Sequence, residues 1–146
     1  MKTLSFKLLL FLSLGIIGGC SKEGDDPVDP GSSAETEPND VTPQPLGTLG
    51  ASDINFPGST ANANDVDRFS IITTAPLNLH AKVAFGSTAD LDIGIQNDDG
   101  IMLSFQDTGA NPEQCTLANR PAGIYIIEVT SKTGTAVSYT LTIGAR

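Results

Sequence analysis

Apolar side chains recur at every second position through most of this chain, and such alternation marks strands with one face in a core and one in water. Phe69 and Ile71; Leu77, Leu79, Ala81, Val83 and Phe85; Leu91, Ile93 and Ile95; Ile101, Leu103 and Phe105; Cys115 and Leu117; Tyr125, Ile127 and Val129; and Tyr139, Leu141 and Ile143 each share one face of a short run, seven runs in all. Residues 46–49 supply an eighth. Turn formers separate them: Ala75-Pro76, Asn97-Asp98-Asp99-Gly100, Asn111-Pro112, Arg120-Pro121-Ala122-Gly123 and Lys132-Thr133-Gly134. No segment keeps helical spacing over three turns, and 15 Gly with nine Pro oppose a helical bundle. The pattern therefore predicts an all-β fold, an antiparallel β-sandwich of jelly-roll or Greek-key type with seven or eight strands. A length of 146 residues leaves room for one such domain.

The N-terminus reads differently. Lys2 and Lys7 form a basic region, residues 8–17 are an almost unbroken apolar run, and Ile17-Gly18-Gly19-Cys20 sets two small residues before a cysteine. A spanning helix needs about 20 apolar residues, so this segment is expected to be a secretion signal. The arrangement resembles the lipobox of bacterial lipoproteins. That resemblance implies cleavage after residue 19, a diacylglyceryl group on the Cys20 thiol and acylation of the new amino terminus, hence a membrane partner reached through lipid. Ser21 stands where an inner-membrane retention signal would place Asp, which implies the outer membrane if the cell is Gram-negative. Residues 20–34 lack apolar periodicity and read as an acidic, extended tether, with Asp25, Asp26 and Asp29 as solvated linker charge in preference to calcium ligands.

Charge narrows the partners. The chain carries 17 acidic and eight basic side chains, and without residues 1–19 the balance is 17 against six, a net −11. Nucleic acid is excluded as a partner, since its binding rests on clustered cations. With Cys20 assigned to lipid, Cys115 has no intramolecular disulfide partner and reads as a small buried hydrophobe on the face of Leu117. His80 is the only histidine and reads as a strand residue; nothing in the spacing joins it to Cys115 as a catalytic pair. The chain also contains no His-Glu-x-x-His, Gly-x-Ser-x-Gly or phosphate-loop motif, and a non-enzymatic role is expected.

Seven of the acids lie between Glu23 and Asp40. In Glu35-Thr36-Glu37-Pro38-Asn39-Asp40 an extended backbone would present Glu35, Glu37 and Asn39 on one side, and Asp40 joins them if the chain bends. Carboxylates so close repel unless a cation sits among them, and an all-oxygen donor set suits Ca²⁺, whereas Zn²⁺ would call for His or Cys. A second acidic stretch, Asn62-Ala63-Asn64-Asp65-Val66-Asp67, could supply the remaining ligands. An acidic entry strand followed by a turn accounts for the same residues. Asp90 and Asp92 do not open an EF-hand, because the twelfth position from Asp90 is Ile101; they are expected on the outer face of a strand.

Glu-x-Glu-Pro-Asn-Asp at residues 35–40, Asp65-Val66-Asp67-Arg68-Phe69-Ser70, Ala89-Asp90-Leu91-Asp92 with Asp98-Asp99-Gly100, Ala122-Gly123-Ile124-Tyr125 and Tyr139-Thr140-Leu141-Thr142 occur in one order along residues 35–146. Together they resemble the bacterial pre-peptidase C-terminal domain, a β-sandwich appended to secreted peptidases and similar to the collagen-binding domains of clostridial collagenases. The resemblance implies a calcium site at Glu35, Glu37, Asn39 and Asp40, completed by Asp67 and by Asn64, where the collagenase branch has Asp, or by Asp65. It leads to the expectation of a lipid-anchored, calcium-stabilised, non-catalytic module of the cell envelope that binds a protein or polysaccharide. The alternative is a spacer or accessory subunit that docks onto another envelope protein or a secreted peptidase.

Overall fold

The computed structural model describes residues 35–146 except residue 87. Nine strands follow one another: β1 (Gln44–Thr48), β2 (Ile54–Thr60), β3 (Val66–Thr73), β4 (Leu77–Phe85), β5 (Leu91–Asn97), β6 (Met102–Gln106), β7 (Glu113–Arg120), β8 (Gly123–Ser131) and β9 (Val137–Ala145). There is no helix among the described residues. A five-stranded sheet runs in the order β1-β3-β8-β5-β6 and a four-stranded sheet in the order β2-β9-β4-β7. Among the described strands only β5 and β6 are neighbours both in sequence and in a sheet, joined by the Asp98-Asp99-Gly100 turn, where Gly100 has a φ of 75° and donates its N–H to Asn97 O. Every other strand pairs with one distant in sequence, as in a two-sheet sandwich and not in a meander.

The predicted sandwich is therefore present, with one strand more than expected. The additional strand is β2, whose Pro57 and Gly58 break the alternation that identified the others. Proline is tolerated there because β2 lies at a sheet edge. It contributes Phe56, whose ring lies 5.2 Å from that of Phe69 in the opposite sheet and closes the core between them. The segment around residues 46–49 is β1, and it runs parallel to β3, the one parallel pairing among the described strands.

Parity fails in β6. Ile101, Leu103 and Phe105 were expected on one buried face, but the β5–β6 register shifts between Ile95 and Gln96. Leu103 packs against the core, while Ile101 is 58% and Phe105 41% exposed. Met102 and Phe105 instead cover the outer surface of Gly94, where a Cβ would stand 2.9 Å from Met102 Sδ.

Inner-face positions of β3, β8 and β5 meet those of β9, β4 and β7, and Phe69, Ile71, Leu79, Ile93, Ile95, Ile127, Leu141 and Ile143 are fully buried between the sheets. Tyr125 and Tyr139 point inward, as their parity predicts. Cys115 is buried with its thiol 3.3 Å from Ile93 O, and burial pushes its pKa up, so it is held as the neutral thiol of a core residue. Ala81 pairs with Cys115 and His80 with the next residue, so the imidazole and the thiol project from opposite faces of their sheet. The expected signal, the Cys20 anchor and the tether of residues 20–34 lie outside the described residues.

Removal of a side chain in this interior should leave a cavity that the two sheets cannot close. Phe69→Ala is expected to lower unfolding free energy by about 3–5 kcal/mol, and Ile101→Ala to change it by less than about 0.5 kcal/mol, in chemical denaturation. Equal losses in the two variants would contradict this assignment of the core.

Candidate cation site

The alternation of β3 places Asp67 on the same inner face as Phe69 and Ile71, at the strand's first turn inward, so a carboxylate occupies a core-facing position at one end of the sandwich. Its residue is fully buried. Across the interior, the Tyr139 hydroxyl of β9 donates to Asp67 Oδ2 at 2.6 Å and lies 3.2 Å from Glu35 Oε1. The approach of that tyrosine depends on Gly58, its partner on β2, since a Cβ at Gly58 would overlap the phenol ring.

The chain that precedes β1 folds over this end. The Ser59 N–H donates to Glu35 Oε2 at 2.5 Å, the Asn39 side-chain amide donates to Glu35 Oε1 at 3.1 Å, and the Asn39 N–H donates to Glu37 Oε2 at 3.2 Å. The Thr36 N–H bonds Gln44 Oε1 at 2.8 Å and ties the segment to β1. One carboxylate oxygen from each of Glu35, Glu37 and Asp67 then lies within 4.8 Å of the others. Asn39 is 1% exposed and its Oδ1 is buried without a hydrogen-bond partner, as is Asp67 Oδ1. Buried oxygens are rarely left unsatisfied, and two of them beside three clustered carboxylates fit a hard cation bound by oxygen.

Electrostatics at the cluster has the same origin. Burial pushes the Asp67 carboxyl from its ordinary value of 3.8 up to about 8, against the lowering effect of the Tyr139 hydrogen bond and with the help of Glu35, Asp65 and Glu37. Glu37 is also raised, first by burial and then by Glu35, Asp65 and Asp40, although its bond from Asn39 works the other way. Burial followed by the Asp67 charge keeps the Tyr139 hydroxyl protonated and able to donate.

The predicted ligands separate as follows. Glu35, Glu37 and Asp67 come together, with Asn39 hydrogen-bonded among them. Asp40 and Asp65 lie outside the triplet of carboxylates. Asp40 is exposed, and Asp65 Oδ2 accepts the Ala61 N–H at 2.5 Å, which closes the turn before β3. Asn64 sits in that turn with a φ of 65° and donates its N–H to Ser131 O. Tyr139 was expected only as a core residue; its parity was legible, but its partner comes from a strand 72 positions away.

No protein-family model matches the chain, and no curated protein matches it in sequence. Solved structures do match in fold. The chain is similar to the pre-peptidase C-terminal domain of a Bacillus anthracis collagenase, with a TM-score of 0.59 at 14% identity over 75% of this chain and 99% of that one. It is also similar to the Yersinia pseudotuberculosis-derived mitogen, with a TM-score of 0.52 at 13% identity over 66% of this chain and 88% of that one. The chain thus has the all-β sandwich fold of the pre-peptidase C-terminal domain.

A raised Asp67 pKa sets the sign of a pH effect. Between about pH 4 and about pH 8 the folded, metal-free protein holds a proton that the unfolded chain has released, so its stability falls as pH rises through that window. Asp53, held below the ordinary carboxylate range by its Arg146 hydrogen bond, changes protonation below it. The melting temperature of metal-free protein is expected to drop from pH 5 to pH 8, with a smaller drop in Asp67→Asn. A wild-type melt that is flat over this range would contradict the assignment.

Proposed function

We propose that this chain is a non-catalytic binding module of the cell envelope, anchored through lipid on Cys20, stabilised by calcium at Glu35, Glu37, Asn39 and Asp67, and engaging a protein or polysaccharide. The observation that carries the calcium reading is the fully buried Asp67 carboxylate with an unpartnered oxygen, set within 4.8 Å of two further carboxylates. Ca²⁺ takes six to eight oxygens at about 2.3–2.6 Å and tolerates irregular geometry, so carboxylates, the Asn39 amide oxygen and solvent on the exposed Glu37 side suit it. Asp40 and Asp65 act on Glu37, and Asp65 on Asp67, as further negative charge near that group.

Calcium here does structural work in this reading. The ion would join the segment before β1 to β3, in a region where β2 and β9 already contribute the Ser59 and Tyr139 donors. The same segment leads back to the tether, so the ion would fix the direction in which the sandwich leaves its anchor. The core placement of Cys115, on the opposite sheet face from His80, supports a role without thiol catalysis.

Millimolar Ca²⁺ is expected to raise the melting temperature, by roughly 10 °C at a hundredfold excess over Kd, and Glu37→Ala to abolish most of the rise. Melts that ignore calcium in both proteins would overturn the site. Binding is tested by pull-down from the cell's own surface extract, with and without chelator; recovery of no protein or polysaccharide under either condition contradicts the binding role. For the anchor, Cys20→Ser should move the protein from the membrane fraction to the soluble fraction, and an unchanged distribution would exclude lipidation there.

A further inference from the structure

The two outer faces of the sandwich differ in character. On the four-stranded sheet the outward positions of β4, β7 and β9 include His80, Lys82, Gln114, Thr116 and Thr142, all polar. On the five-stranded sheet the outward positions are largely apolar. Cross-strand register sets Ile72 beside Ile124, Ile126 beside Gln96 and Gln96 beside Met102, while Phe105 stands opposite Gly94 and covers it together with Met102. Ile72, Ile124, Met102 and Phe105 are each 40–46% exposed, so four of the six exposed large apolar side chains among the described residues share this one face. Soluble monomers seldom leave such side chains together in water, and a face that gathers them marks a contact surface.

The charges of this face cancel. Arg68 and Glu128 form an ion pair across β3 and β8, with Nη2 2.9 Å from Oε2. Asp92, expected to be solvated there, is fully buried and paired with Lys132 Nζ at 2.8 Å. Arg68 Nε and Gln96 Nε2 also donate to Glu128 Oε2, at 3.0 and 2.7 Å. Three donors thus converge on one carboxylate oxygen, and none of these bonds uses Glu128 Oε1 or Arg68 Nη1. An acceptor and a donor therefore lie side by side, flanked by apolar side chains, in a chain whose net charge is −9. A partner drawn by charge alone would be basic and would be held by the acids elsewhere. A balanced face selects a partner whose own charges are balanced in the same way.

We propose that this face binds a second copy of the chain, sheet against sheet, about a two-fold axis that runs along the strands between β3 and β8. Because Arg68 and Glu128, and likewise Ile72 and Ile124, are cross-strand neighbours on those two strands, the axis lays Arg68 of each copy on Glu128 of the other and Ile72 on Ile124. Arg68 Nη1 then has a Glu128 Oε1 to bond, and the reverse holds in the same contact. β5 comes to lie over β1 of the other copy, and Met102 and Phe105 of β6 close against the open edge of that strand. Four overlapping strands about 4.8 Å apart, with about 3.3 Å per residue along the eight residues of β3, give roughly 500 Å² of face per copy. The total of roughly 1,000 Å² stands at the lower limit of a specific interface, so the dimer is expected to have a micromolar Kd. Its formation needs neither calcium nor the lipid anchor.

Sedimentation equilibrium of the full chain, kept in a non-ionic detergent because of its apolar residues 8–17, tests the dimer. The wild type is expected to dimerise in the micromolar range. Arg68→Glu and Glu128→Arg should each weaken it at least about tenfold by setting like charges against each other. An equimolar mixture of the two should regain the wild-type constant, since the two variants complement each other only across the axis. Ile124→Lys should weaken the dimer as much, with no rescue from either charge variant, and keeps the proposal testable if a charge variant fails to fold. A wild type that stays monomeric, a dimer equally strong in every variant, or losses in folded charge variants that mixing does not restore would each overturn the proposal.

Discussion

Three carboxylates whose oxygens lie within 4.8 Å of one another, one of them fully buried, cannot all remain charged without a counter-charge. In the metal-free protein that need is met by a proton on Asp67, whose pKa is pushed up to about 8, and by the Tyr139 hydroxyl. In the proposed calcium-bound form the same oxygens would become ligands. The segment before β1, the start of β3, the end of β2 and the start of β9 all meet at this point, so the way the charge is balanced decides how firmly the N-terminal segment is held against the sandwich. Gly58 belongs to the same arrangement, because its missing side chain is what admits the tyrosine.

Much of the sandwich was legible because burial on one face of a sheet enforces period two, and the runs centred on Phe69, Val83, Ile93, Ile127 and Leu141 obey it. The misreadings have local physical causes. β2 was missed because an edge strand tolerates Pro57, and because Gly58 yields its side-chain volume to Tyr139. β6 was read with the wrong face because a single register shift separates Leu103 from Phe105 in orientation. A period-two argument carries no information about either event, since one removes the apolar residue and the other removes the period.

The carboxylate cluster was half legible. Alternation in an extended chain predicts Glu35, Glu37 and Asn39 on one side, whereas Asp67 entered only with the acidic stretch of residues 62–67 and the family resemblance, although its place two residues before Phe69 carries the inward parity of β3. The donor that completes the arrangement, Tyr139, lies 104 residues from Glu35 and could be placed only by the β2–β9 register. Asp92 illustrates the reverse case: parity puts it on an outer face, but it is fully buried there, with the Lys132 ammonium paired to its carboxylate, while Asp90 is half-buried. Similarity of fold to the pre-peptidase C-terminal domain of a collagenase adds an architecture at 14% identity, while the case for cations rests on the oxygens of this chain.

A crystal structure of the protein grown with calcium is the most direct test of the central claim. The account predicts an ion held by Glu35, Glu37 and Asp67 carboxylates and the Asn39 amide oxygen at about 2.3–2.6 Å, with the N-terminal segment bonded to Ser59 as described. A fully occupied calcium medium that leaves these oxygens bound only to water or to Tyr139 would contradict it.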